Sequence, residues 1–219
     1  MKSLFLIAHI AGGGLGLLLG AWMLMARKGN ARHKRLGRTY TLAMAVATLS
    51  GIVLARMGAN DFLMYVGVFS FYLAYSGWRA LASWRHNFEG QRSDRFIGGL
   101  TFAFALVMIY DAFMPHGGDG MELNPVQLIF GMASAFFSGS DLWLRRSESH
   151  RMAFAQRALQ THIGRMTGSY ISAVTAFLVV NLSGMLPPLF IWLGPSVILG
   201  PMIGFWIRRS LKKPLQTAP

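Results

Sequence analysis

Apolar residues run along this chain in seven long stretches, at 3–25, 39–57, 62–84, 96–114, 126–144, 160–182 and 188–207. Each is near the length a helix needs to cross a bilayer, about 20 residues at about 1.5 Å per residue. Lipid offers no partner for an unpaired backbone group, so such runs are read as helices. A barrel would show short alternating strands, and these runs are continuous. The pattern predicts an all-α membrane protein, a bundle of about seven transmembrane helices. It forms a single domain over 1–207, followed by a basic cytoplasmic tail at 208–219.

The polar segments between the runs alternate in charge. Lys and Arg number six in 26–38, three in 85–95, four in 145–159 and four in 208–219, while the loops 58–61, 115–125 and 183–187 hold none. By the positive-inside rule the basic segments are cytoplasmic and the N-terminus is outside. Trp22, Trp78, Trp84, Trp143 and Trp206 then fall near the cytoplasmic interface and Trp192 near the outer one, as an aromatic belt predicts. The first run continues apolar past the usual signal-peptide core, with no small-x-small site to close it, and is read as a retained span. The segment 145–159 is expected to continue into the sixth helix or to lie along the headgroups.

Composition narrows the function classes. The chain is 53% hydrophobic and 13% charged, with a formal net charge of +13; soluble domains carry about twice that charged fraction. The basic residues sit between apolar runs rather than on one solvated face, which argues against nucleic-acid binding. With no cysteine, disulfides, thiolate zinc sites and cysteine-held iron–sulfur clusters are excluded.

Ionisable groups inside spans are costly and face a partner or a cavity. Here they are His9, Arg56, Asp111 in the outer half and Arg79, Asp141, Arg165 in the inner half, with His162 at a span's edge. Ion pairing accounts for them if Asp111 meets Arg56 and Asp141 meets Arg79 or Arg165. In the first helix His9, Gly13, Gly16 and Gly20 share one stripe, which suits close helix packing or a haem face with His9 as axial ligand.

Two basic stretches open spans from the cytoplasmic side, "HKRLGRTY" at 33–40 and "HIGRMTGSY" at 162–170. Each places a histidine at the membrane surface with a tyrosine about two turns deeper, His33 with Tyr40 and His162 with Tyr170. His162, Arg165, Ser169 and Tyr170 share a face. Arg38 and Arg165 have the chemistry to hold a lipid phosphate, a haem propionate or a carboxylate; an interfacial anchor is the other reading. The loop "PHGGDGMELNP" offers His116, Asp119 and Glu122 to a hard cation, although glycine-rich turn chemistry also explains it. Nucleophile elbows, phosphate-binding loops and His-Glu-x-x-His motifs are missing.

"HIAGGGLGLLLGAWMLM", "HKRLGRTYTLAM" and "HIGRMTGSYISAVTAFLVVN" together resemble a family of bacterial predicted integral-membrane proteins of unassigned function. Its early histidine and His-x-x-x-Gly-Arg-x-Tyr motif match His9, His33, Gly37, Arg38 and Tyr40. The resemblance implies the bacterial inner membrane and supplies no activity. A fainter likeness to transmembrane b-type cytochromes implies histidines on facing helices, but only His9 lies deep in a span here. Three functions follow as expectations. One is binding of b-type haem or a quinone for electron transfer, with His33 and His162 as an inner ligand pair and His9, with or without His116, at the outer side. The second is transport of a proton or small solute along the buried Asp and Arg groups. The third is a structural or assembly role.

Overall fold

The computed structural model describes residues 1–85, 91–114, 124–146, 157–182 and 184–211. They form seven helices: α1 (Lys2–Met25), α2 (Ala31–Met57), α3 (Asp61–Arg85), α4 (Gln91–Asp111), α5 (Pro125–Leu144), α6 (Ala158–Leu182) and α7 (Pro188–Leu211). Five of them, α1, α2, α4, α6 and α7, are long and apolar enough to cross a membrane. The two that fall short, α3 and α5, carry interior polar groups: Tyr65, Ser70, Tyr72, Tyr75 and Ser76 on α3, and Gln127, Ser134, Ser138 and Asp141 on α5.

Local chemistry sets the helix ends. Asn30 caps α2 by accepting from His33 N at 2.7 Å, and Asn124 caps α5 ahead of Pro125 by accepting from Gln127 N at 3.0 Å. An Asn at this position satisfies one of the N–H groups a helix start leaves open. Lys28 folds back over the end of α1 and donates to the carbonyls of Met23, Leu24 and Ala26. Cations are favoured there by the helix dipole. Helix α7 runs through Pro195 and Pro201 to Leu211, so residues 208–211 are helical rather than the start of a tail; residues 212–219 lie outside the described residues.

Packing centres on α3, which touches α2, α4, α5 and α6, while α1 lies against α2 and α6. One core cluster joins Tyr65, Val66, Phe69 and Leu73 to Met108, Val126, Phe130 and Trp192. Trp192 packs into this cluster. It is buried, 4.8 Å from the Phe62 ring and 5.8 Å from that of Phe130 between centroids. A second cluster joins Tyr40, Met44 and Ala74 to Leu19, Met166, Tyr170 and Ala173, tying α1, α2, α3 and α6 together.

Glycines let α1 approach. The buried positions are Gly12, Gly16 and Gly20. A Cβ on Gly12 would stand 2.9 Å from Ala43 O and Ala47 N, and one on Gly20 would stand 2.1 Å from the Tyr170 ring. Gly13, expected on this stripe, faces open space instead. The stripe is covered by α2 and α6. Gly12, Gly16 and Gly20 thus serve close helix packing.

Candidate functional site

Two polar assemblies occupy the end of the bundle where α1 stops and α2 begins, and they differ in kind. The first is a block of ion pairs around α3. Tyr72, Tyr75, Ser76 and Arg79 recur at helical spacing on one side of that helix. Asp94, in the first turn of α4, accepts from Arg79 Nε at 2.8 Å, Arg79 Nη2 at 2.9 Å, Arg145 Nη1 at 2.8 Å and Tyr75 OH at 2.7 Å. Asp94 and Arg145 are buried. Asp141 on α5 accepts from Tyr72 OH at 2.5 Å and from Arg165 Nη2 at 3.1 Å. Arg165 also donates to Ser76 Oγ and Phe137 O, and its guanidinium lies 4.4 Å from the Phe137 ring centroid. A buried carboxylate is tolerated when its lone pairs are filled by charged donors in this way.

Several expected pairings resolve differently. Arg56 and Asp111 do not pair. Arg56, in the last turn of α2, reaches across the short turn to Asp61 at 2.9 Å, with both side chains more than half exposed. Asp111 instead accepts from Tyr65 OH at 2.6 Å. Of the two arginines considered for Asp141, Arg165 forms the pair and Arg79 belongs to Asp94. Asp94 and Arg145 were missing from the sequence-derived set because they lie just beyond the apolar runs, where charges read as loop residues. Their signal was indirect: Tyr75 and Arg79 leave a polar face on α3 that needs an acceptor.

The second assembly holds the histidines. His162, in the second turn of α6, is oriented by its Nδ1, 2.9 Å from Gly77 O. His33, in the first turn of α2, lies within electrostatic reach of both His162 and Lys28. Its Nδ1 is buried with no hydrogen-bond partner. Trp206 Nε1, on α7, is the other buried side-chain atom without a partner among the described residues. Lys28 Nζ sits 4.4 Å from the Trp206 ring centroid, which brings α7 to the same place. Buried polar groups are nearly always hydrogen-bonded, so two orphans at one end are the exception that calls for a reason.

The remaining predicted site residues are engaged in helix packing. Tyr40 OH meets Ser169 Oγ at 2.8 Å, linking α2 to α6, and the Tyr170 ring covers Gly20 of α1. His9 Nδ1 lies 2.7 Å from Ala47 O, joining α1 to α2. Arg38 is exposed. His116, Asp119 and Glu122 lie outside the described residues.

A cavity of about 220 Å³ opens beside the histidine end, lined by Trp22, Ala26, Arg27, Asn30, Arg32, His33 and Leu36. Cofactor-sized pockets run about 300–1,000 Å³, so this space suits a headgroup or a single ring and not a porphyrin. The crevice between α3, α4 and α5, lined by Tyr65, Phe69, Thr101 and Ser134 among others, has no room for a water. Comparison with protein-family models, with curated proteins and with solved structures finds no match for this chain.

Proposed function

We propose that the chain is a seven-span protein of the bacterial inner membrane, N-terminus outside, that binds a quinone-class ligand at its cytoplasmic end, beside His33, His162 and Trp206. The observation that carries the reading is the pair of buried, unpartnered ring nitrogens, His33 Nδ1 and Trp206 Nε1, at one end of the bundle. The indole N–H can only donate, and His33 donates in its Nδ1–H tautomer. Carbonyl oxygens of a membrane-dissolved quinone would satisfy both and relieve a desolvation cost of about 1–3 kcal/mol each. His162, fixed by the Gly77 carbonyl, lies within electrostatic reach of His33.

Haem fits these residues less well. An axial histidine needs its second nitrogen held by an acceptor. His162 has that support in Gly77 O, whereas the buried Nδ1 of His33 lacks it. The transport reading is supported by buried charge but not by space: the carboxylates of the α3 block have their donors in place, and the crevice next to it excludes water.

The test is titration of the detergent-purified protein with a short-chain benzoquinone, followed by tryptophan fluorescence. Saturable quenching is expected, with the apparent Kd rising roughly tenfold when His33 is replaced by Phe, a loss of about 1.4 kcal/mol. Non-saturable quenching, or a Kd unmoved by His33→Phe, ends the quinone reading. A sharp haem absorption band in the purified protein would return the site to haem.

A further inference from the structure

The elbow between α1 and α2 gathers cationic groups with nothing acidic to meet them. Residues 26–38 contain six Lys and Arg and no Asp or Glu. Lys28 is consumed by the carbonyls ending α1. Arg27 and Arg32 are not: among the described residues every ion pair involves other arginines, Arg56, Arg79, Arg145 and Arg165. Both line the 220 Å³ cavity. The Arg32 guanidinium is held 4.9 Å from the Trp22 ring centroid, so its direction is set before any anion arrives. The floor of the cavity is the first turn of α2, where Asn30 satisfies the His33 N–H and the helix dipole favours negative charge. Its other wall is apolar, made by Trp22, Ala26 and Leu36, and Trp22 is also exposed on the outside of the bundle.

We infer that this elbow is a phosphate-binding site, with Arg27 and Arg32 as the anion-holding residues and Trp22 and Leu36 as the apolar wall. Guanidinium forks match phosphate oxygens. The shared chemistry is a phosphate of net negative charge, carried by an anionic lipid headgroup or free in solution, and not one whose charge a choline offsets. The site shares His33 with the proposed quinone position but does not depend on it, since its anion contacts come from different residues.

The full chain in neutral detergent is melted with added dioleoylphosphatidylglycerol, with dioleoylphosphatidylcholine, or with inorganic phosphate. At about tenfold excess over Kd the anionic lipid should raise the melting temperature by roughly 3–6 °C. Phosphatidylcholine should leave it unmoved. A shift with inorganic phosphate alone, equal to that of the lipid, supports the site and assigns it to free phosphate. The variants Arg27→Gln and Arg32→Gln, separately and together, should abolish the shift, while saturable benzoquinone quenching persists. Native mass spectrometry of the unmodified chain gives the same answer without any variant, as retention of phosphatidylglycerol over phosphatidylcholine. Equal retention of the two lipids, or an undiminished shift in the double variant, overturns the proposal. Loss of quenching together with the shift overturns its separateness from the histidine site.

Discussion

The ion-pair block and the histidine end sit at the same depth of the bundle and have opposite hydrogen-bond states. Asp94 collects four donor contacts from Arg79, Arg145 and Tyr75. His33 Nδ1 and Trp206 Nε1 have none. Charge within a membrane is usually taken as the mark of function. Here the charged groups are the saturated ones, and saturation turns them into fasteners between α3, α4, α5 and α6. The neutral rings are left with unused capacity, and unused capacity is what a ligand needs. Net charge is thus a weaker guide to the site than unmet hydrogen bonding.

The largest effect that would break this contrast is at Asp94. Asp94→Asn strands two arginines against a neutral amide, and the cost should be about 3–5 kcal/mol. It is read as a large drop in melting temperature in detergent. A loss within about 0.5 kcal/mol would mean that the block is solvated and holds nothing together. Next in size is the coupling of Asp141 and Arg165. Asp141→Leu and Arg165→Met should each destabilise, and the double variant should recover about 1–3 kcal/mol of the summed loss. Additive losses would show that the 3.1 Å contact is incidental. The smallest effect sharpens the other side. In ligand-free protein His33→Phe removes an unsatisfied nitrogen and keeps the ring, so stability should hold or rise by about 1 kcal/mol. A fall of more than about 1 kcal/mol would show that His33 has a structural partner.

The helices and the site were legible to different degrees. The seven apolar runs coincide with the seven helices of the described residues, because length and hydropathy suffice to mark a run. The helix ends did not follow, since α2 starts at Ala31 and α4 at Gln91, well before the apolar runs at 39 and 96. A hydropathy window cannot see a helix continuing through charged residues, which is why Asp94 in the first turn of α4 went unrecognised, while Arg145 is the residue that caps the end of α5 just past its apolar run. The pairing of Arg56 with Asp111 failed for a related reason: depth in the membrane was inferred, but the turn at 58–60 that delivers Asp61 to Arg56 was not. The glycine stripe was displaced by one residue, Gly12 for Gly13, because the spacings of three and four fit both sets until the partner helix is known. His33 and His162 hold matched positions near two span ends and lie within electrostatic reach of each other. That His33 Nδ1 is unpartnered depends on its neighbours in three dimensions and leaves no trace in the sequence.

The glycine face of α1 also has a consequence for the order of assembly. Gly20 is covered by Tyr170, and Tyr40 of α2 finds its hydroxyl partner in Ser169. Both partners belong to α6, about 130–150 residues later in the chain. At about 5–20 residues per second, the ribosome takes roughly 7–30 s to supply them. During that interval Gly20 and the Tyr40 hydroxyl of the α1–α2 hairpin lack their α6 partners and are open to lipid or to any other helix that arrives first. The first two spans are therefore the part of this protein most in need of a waiting partner during its own synthesis.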